Sequence, residues 1–260
     1  MAKLLSPKSQ LAARITSDLL LIILLHVSYF IIDAFGQKRL GFHLNDDTIK
    51  LPYKVDTVST LGVALYSYLL PILTVIAVEL FTALFRRFAL DEANVWHQMF
   101  YFMYNFVITY LIAAGVCFLL TTLIKYNFGR LRPHFLEICQ PDTLPSPAQP
   151  YVSSYTCRGT NRKALEDVFL SFLSGHASAA AVGVTYAVLY LQERVHLKVV
   201  PLVRPLIQTI YICSCFYVIF TRFTDFKHHV TDLIGGLVLG ILCALVFFLR
   251  YLSQMQTIGL

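Results

Sequence analysis

Residues 61–84 read LGVALYSYLLPILTVIAVELFTAL, and this run decides the fold. It contains a single charged side chain, that of Glu79. A helix that crosses the hydrocarbon core of a bilayer requires about 20 consecutive, mainly apolar residues. The run therefore predicts a transmembrane helix.

The composition of the whole chain agrees with lipid as its solvent. Of the 260 residues, 57% are hydrophobic and only 14% are charged, and the mean hydropathy is +0.65. Soluble domains carry about 25% charged residues. The chain has too few charges to cover a water-facing surface of its size, so its long apolar runs predict an all-α integral membrane protein.

Six apolar runs are candidates for transmembrane helices. They are residues 19–32 with their flanks, 61–84, 100–124, 177–191 with their flanks, 199–220 and 233–252. The fourth is the least apolar and is rich in alanine and glycine, which let helices approach closely in lipid, so it predicts a packed inner helix. Six spans place both termini on one side of the membrane, and residues 1–260 form one membrane domain.

The net charge of +6 does not indicate a nucleic-acid partner, because the basic residues are spread over short loops. Basic residues such as Lys3 and Arg14 precede the first span, as they would in a cleavable signal peptide. No small-residue cleavage pattern follows that span, so we expect a retained membrane anchor.

Two observations on orientation disagree. Lys and Arg are more numerous in the loops opposite the termini, and the positive-inside rule would then place the termini outside. Cys139 and Cys157 flank the proline-rich part of the long loop 125–176, and a disulfide between them would need an oxidising compartment. Two free thiols are the alternative. The disulfide favours termini in the cytosol, and the charge rule loses its force if several loop cations bind substrate.

Three polar clusters lie at the ends of spans. Lys125 to Pro133 follow the third span, Ser174-Gly175-His176 precede the fourth, and Arg222 to Asp232 join the last two. Because successive spans alternate in direction, all three clusters lie on the same face of the membrane. This placement predicts a single active site at that face.

The residue types in these clusters suit a phosphate group. The guanidinium groups of Arg132 and Arg222 match phosphate oxygens in pairs, and Lys125 adds a compact charge. Ser174 and Gly175 lie where the fourth span begins, so their backbone N–H groups would face an anion with the help of the helix dipole. With no equal number of acids near them in sequence, these cations predict a phosphate site.

The remaining polar residues suit phosphoryl transfer. Asp232 lies four residues after His228 and can orient its imidazole, which is then a competent nucleophile. His176 can protonate the leaving alkoxide. A zinc site built from these three residues is the alternative, but the surrounding cations would repel the ion. We therefore expect neither a metal nor another cofactor.

The spacing of these residues resembles the three-part signature of the type 2 phosphatidic-acid phosphatase superfamily. The matching segments are Lys125…Arg132-Pro133, Ser174-Gly175-His176 and Arg222…His228…Asp232. Cys157-Arg-Gly159 and Asn45-Asp-Asp-Thr-Ile49 further resemble the animal lipid phosphate phosphatases. The resemblance implies six helices, cytosolic termini and an active site facing the exterior or an organelle lumen. The plasma membrane is the first expectation, before the Golgi and the endoplasmic reticulum.

The resemblance also implies a mechanism and substrates. His228 would form a phosphohistidine, Asp232 would orient it, and His176 would protonate the leaving group, while the five remaining signature residues hold the phosphoryl oxygens. Phosphatidate, lysophosphatidate, sphingosine 1-phosphate and ceramide 1-phosphate are the expected substrates, without a metal. A non-catalytic signalling or adhesion protein of the same fold, a lipid transporter and a phosphatase of another ester are the alternatives.

Three further points do not depend on the signature. Glu79 and His26 lie inside predicted spans, where helix–helix hydrogen bonding is the expected role of each. A homo-oligomer is compatible with the sequence. The sequence does not rank the lipid substrates.

Overall fold

The computed structural model describes residues 7–43, 45–89, 93–147 and 149–256, so Lys3 lies outside the described residues. The helices are α1 (Pro7–Ala34), α2 (Thr60–Ala89), α3 (Val95–Phe128), α4 (Phe135–Cys139), α5 (Arg162–Asp167), α6 (Gly175–Arg194), α7 (Val203–Thr224) and α8 (Val230–Gln256). A short 3-10 helix covers Asp47–Ile49. Strand β1 (Phe42–His43) pairs antiparallel with β2 (Tyr151–Val152).

Within these ranges, five helices are long and apolar enough to cross a membrane: α1, α2, α3, α7 and α8. The apolar segments run from 22 to 34 residues, so even the shortest covers about 33 Å at 1.5 Å per residue. They coincide with five of the six predicted spans. The prediction of a mainly helical membrane protein is thus confirmed, and the pairing of β1 with β2 is a minor exception.

Helix α6, the fourth predicted span, is not among these five. It has 20 residues, more than half of them buried against α2, α7 and α8. Small residues permit this packing: a Cβ added at Gly183 would lie 2.7 Å from the Ser67 carbonyl oxygen, and one at Gly240 would lie 2.5 Å from that of Ser178. Helix α6 is therefore the inner helix that its composition predicted.

The long loop between α3 and α6 folds into a cap over one end of the bundle. It contains α4, α5 and β2, and it buries Phe135 and Phe169 together with Phe42 of the first loop. Cys139 and Cys157 are joined by a disulfide, with their Cα atoms 4.5 Å apart. The cap lies where α3 and α7 end and where α6 and α8 begin.

A polar cluster is buried towards the opposite end of α6. The Glu79 carboxylate accepts hydrogen bonds from Arg194 at 2.8 and 3.1 Å and from the hydroxyl of Tyr190. In the same way, His26 in α1 and Tyr68 in α2 are joined by a hydrogen bond of 2.7 Å. The expectation that Glu79 and His26 make helix–helix hydrogen bonds is confirmed.

Candidate active site

The three polar clusters meet beneath the cap around one cavity of about 500 Å³. Six of the eight predicted site residues line it: Lys125, Arg132, Gly175, His176, Arg222 and His228. The other two, Ser174 and Asp232, are fully buried behind this lining. They also tie two helix starts together, because the Ser174 backbone N–H donates to the Asp232 carbonyl at 2.9 Å.

The end of α3 places Lys125 and Arg132 on the same side of the cavity. Gly129 ends the helix in the left-handed conformation, at a φ of 63°, and a Cβ there would lie 2.5 Å from the Lys38 carbonyl oxygen. Only glycine fits this left-handed turn, which ends α3 and directs the following residues back alongside the end of the helix. Lys125 donates to the Leu170 carbonyl at 2.7 Å, and Arg132 donates to Asp167 at 2.6 Å.

Arg222 is the most deeply buried cation of the site, with 1% of its side chain exposed. Its two terminal nitrogens donate to Asp56 and to Asp225, each at 2.8 Å. A buried guanidinium needs such partners, because burying an unpaired charge is costly. These two contacts fix the plane of the guanidinium at the wall of the cavity.

The expectation of cations without nearby acids is wrong for the folded chain. Asp56 and Asp225 contact Arg222, Asp167 contacts Arg132, and Asp232 accepts from Arg130 at 2.6 Å. Three of these acids were not predicted, because they come from other loops or lie outside the signature. Even so, the Nε of Arg132 is buried without a hydrogen-bond partner among the described residues.

The start of α6 corrects one predicted contact. The Ser174 N–H was expected to face an anion, but it donates to Asp232 instead. The Ser174 hydroxyl oxygen caps α6 by accepting from Ala177 N–H at 3.4 Å. Gly175 does line the cavity, and a Cβ built on it would lie 3.6 Å from Cε of Lys125.

The side chains of His228 and Asp232 lie close together in the structure but are not hydrogen-bonded. The distance from Nδ1 of His228 to the Asp232 carboxylate is 3.6 Å, beyond hydrogen-bonding range. The carboxylate instead accepts from Ser171 Oγ at 2.6 Å and from the His229 N–H at 2.9 Å. Such contacts often tighten only when substrate is bound.

Burial lowers the pKa of His228 well below its usual value. The charges of Arg132 and Lys125 act in the same direction, and Asp232 opposes them. The imidazole is consequently neutral near pH 7. A neutral imidazole has the free lone pair that a nucleophile requires.

The other catalytic candidate, His176 of α6, is held in place by a contact with the first loop. His176 Nε2 lies 3.0 Å from the Val58 carbonyl oxygen. Because a carbonyl can only accept, Nε2 carries the hydrogen of this bond and Nδ1 is left for proton transfer. The contact fixes both the tautomer and the direction of the ring.

Residues 56–58, which we call the strap, contact both sides of the site. Asp56 accepts from Arg222 and lies 3.7 Å from Lys227, while Thr57 donates to Asp225 through its N–H and its hydroxyl. Burial raises the pKa of Asp56, but Lys227 and Arg222 outweigh this and hold it below its usual value, so Asp56 is ionised. Sequence reasoning missed the strap, because more than 160 residues separate Asp56 from Arg222.

Comparison with known proteins identifies the family of this chain. The PAP2 superfamily profile matches residues 104–256. Phospholipid phosphatase 2 from Bos taurus is 35% identical over 83% of this chain and 74% of its own length. The Mus musculus protein of that name is 34% identical over 91% and 85%, and a putative phosphatidate phosphatase from Drosophila melanogaster is 28% identical over 91% and 68%.

A crystal structure of a transmembrane PAP2-type phosphatidylglycerolphosphate phosphatase from Bacillus subtilis is also similar, with a TM-score of 0.39 and 20% identity over 72% of each chain.

The apolar helices, the superfamily match and the phospholipid phosphatase relatives define the chain as a membrane-embedded phosphatase. The chain belongs to the PAP2 superfamily. The resemblance inferred from the signature, and the prediction of a phosphatase enzyme, are thereby confirmed.

Proposed function

We propose that this protein hydrolyses lipid phosphate monoesters to the dephosphorylated lipid and inorganic phosphate. Phosphatidate, lysophosphatidate, sphingosine 1-phosphate and ceramide 1-phosphate are the proposed substrates. The observation that carries the proposal is the cavity itself, in which His228 lies beside Lys125, Arg132 and Arg222 at the ends of membrane helices. The names of the curated relatives agree with a phospholipid as substrate.

In the proposed first step, the phosphoryl oxygens accept hydrogen bonds from the three cations and from the start of α6. Nε2 of His228 attacks phosphorus, because Nδ1 faces Asp232. His176 enters this step as the imidazolium, protonated on Nδ1 as well as on Nε2, because the bound phosphate dianion favours that form. The bond from phosphorus to the lipid oxygen breaks, and that oxygen takes the Nδ1 proton of His176. The lipid alcohol then leaves, and a phosphohistidine remains on His228.

In the second step, His176 takes a proton from a water molecule that attacks the phosphohistidine. The N–P bond breaks, inorganic phosphate leaves, and His228 is neutral again. Phosphoryl transfer depends mainly on positioning and on charge stabilisation, and the residues around the cavity can supply both.

We further propose that α6 is the sixth transmembrane helix and that the termini are cytosolic. Six crossings put the cap and the active site outside the cell or in an organelle lumen, and the plasma membrane is the preferred location. The disulfide between Cys139 and Cys157 supports this orientation, since disulfides persist in oxidising compartments.

The test is phosphate release from lysophosphatidate by the purified protein in excess EDTA. We expect release by the native protein and none by His228→Ala. His196→Ala, at an exposed histidine after α6, is the matched control and should retain activity. Acid-labile, base-stable phosphate on the quenched native protein would support the phosphohistidine. Release by His228→Ala at the native rate would refute the assignment.

A further inference from the structure

The Asp232 carboxylate accepts hydrogen bonds from three segments of the chain. Arg130, which follows α3, donates from one guanidinium nitrogen to Oδ1 at 2.6 Å. Ser171, which precedes α6, donates from its hydroxyl to Oδ2 at 2.6 Å. The backbone N–H of His229 donates to the same oxygen at 2.9 Å. Both carboxylate oxygens are therefore fixed in position by the protein itself.

Arg130 and Ser171 also hold each other in place. The Ser171 backbone N–H donates to the Arg130 carbonyl oxygen at 3.0 Å. The guanidinium nitrogen of Arg130 that contacts Asp232 also donates to the Thr231 hydroxyl at 2.7 Å. We call Arg130 and Ser171 the carboxylate brace. The carboxylate brace joins the end of α3 and the segment before α6 to the first turn of α8.

The carboxylate brace decides which oxygen of Asp232 faces the histidine. Oδ2 is the oxygen that lies 3.6 Å from Nδ1 of His228. With Oδ1 on Arg130 and Oδ2 on Ser171, the carboxylate cannot rotate without losing hydrogen bonds to a buried charge, which is costly. Attack by Nε2 of His228 would leave a positive charge on the imidazole. A carboxylate that already points at Nδ1 stabilises that charge without reorganising.

The carboxylate brace lies outside the place where the phosphate is expected to bind. Within the described part of the chain, the cavity is lined by the three cations of the site, and neither Arg130 nor Ser171 belongs to this lining. Their contacts lead to Asp232, which is fully buried behind it. Loss of either residue should therefore alter the rate of the reaction and leave substrate binding unchanged.

We propose that Arg130 and Ser171 are positioning residues for phosphoryl transfer, which hold Asp232 so that its Oδ2 faces Nδ1 of His228. This inference rests on the proposed function and deepens it. The carboxylate brace neither gives nor takes a proton, so the bonds formed and broken in the two steps stay as described. Its contribution is to fix the direction of the group that orients the nucleophile.

The test measures phosphate release from lysophosphatidate per folded molecule. Arg130→Gln should lower kcat by at least about tenfold, as expected for one hydrogen bond to a charged group, and keep KM within about twofold of native. Arg130→Lys should recover most of this loss, because a single nitrogen of Arg130 makes both contacts and an ammonium can replace it. Arg162→Gln, at an exposed arginine of the cap, is the matched control and should keep the native kcat and KM.

Ser171→Ala is the second variant and carries the test if Arg130→Gln does not fold. It should also lower kcat at an unchanged KM. The double variant should lose less than the product of the two single losses, because both residues act on one carboxylate.

Three results would overturn the carboxylate brace while the phosphatase activity stands. They are native kcat in both single variants, a raised KM at native kcat, and Arg130→Lys as slow as Arg130→Gln. If the native protein releases no phosphate from lysophosphatidate, the proposed function itself fails and the carboxylate brace fails with it.

Discussion

The helix bundle buries charged side chains towards both of its ends. The two groups differ in the space beside them and in the polar atoms that remain free to bind a ligand. At the end away from the cap, Glu79 is 2% exposed, and among the described residues its side-chain hydrogen bonds come from Arg194 and Tyr190. The space beside it measures about 10 Å³. Beneath the cap, three cations and two carboxylates line a cavity of about 500 Å³, namely Lys125, Arg132, Arg222, Asp56 and Asp167.

The two regions differ in whether a ligand can reach their buried polar atoms, and not in charge pairing. Both regions pair their arginines with carboxylates. Beneath the cap, Nε of Arg132 and Nδ1 of His228 are buried without hydrogen-bond partners among the described residues, and both residues line the cavity. Near Glu79, the Tyr251 hydroxyl also lacks such a partner, but the space there is only about 10 Å³. Such groups are costly unless a ligand or a reaction uses them. We therefore expect the first cluster to stabilise the fold and the second to bind substrate and react.

The largest effect is expected at His228. His228→Ala should lower kcat/KM for lysophosphatidate by at least about a thousandfold, because the proposed nucleophile is lost. The midpoint of thermal unfolding in detergent should change little, since Nδ1 of His228 makes no hydrogen bond. A large fall in the midpoint together with the activity would mean that His228 is structural, as Glu79 is.

The opposite result is expected for the inner cluster. Glu79→Gln should lower the free energy of unfolding by about 2 kcal/mol, because charged hydrogen bonds to Arg194 are weakened. Activity per folded molecule should remain within about twofold of native. Glu193→Gln, at an exposed glutamate of the same end of α6, is the control and should alter neither quantity. A selective loss of activity in Glu79→Gln would remove the distinction between the regions.

The region beneath the cap should also respond more strongly to acid. Burial lowers the pKa of His134 from 6.5 to about 4, so between these values only the unfolded chain binds the proton. Stability is then complete above pH 6.5 and falls as the pH drops below it, by about 2 kcal/mol at pH 5 from this residue. Unfolding midpoints at pH 7 and pH 5 should differ less in His134→Gln. An equal difference in both proteins would contradict the assignment.

The smallest effect is expected in the strap. Asp56→Asn should lower kcat/KM about tenfold, because Arg222 loses one of the two carboxylates that fix its plane. The free energy of unfolding should change little, since the Asp56 side chain is 40% exposed. Asp47→Asn, at an exposed aspartate of the same loop, is the control. A lower KM in Asp56→Asn than in the native protein would instead mean that Asp56 competes with the phosphate for Arg222.

The sequence by itself determined the membrane class, five of the helices and the family. Apolar runs of 20 residues or more indicate spans because lipid leaves the backbone no partner outside its own helix. The position of each cluster at the end of a span was enough to bring Lys125, His176 and His228 to one face. These features are local in sequence, so spacing alone carries them.

The tertiary structure decided the features that join distant segments. The partners of the arginines, the strap and the shape of the cavity beneath the cap depend on loops and helices that meet only after folding, and no spacing rule connects them. The burial of α6 shows the same dependence, because glycine and alanine are too weakly apolar to mark a span but allow close packing between helices. The sequence therefore determined which chemical groups the protein contains. The packing of the folded chain determined which of these groups remain free to contact a ligand.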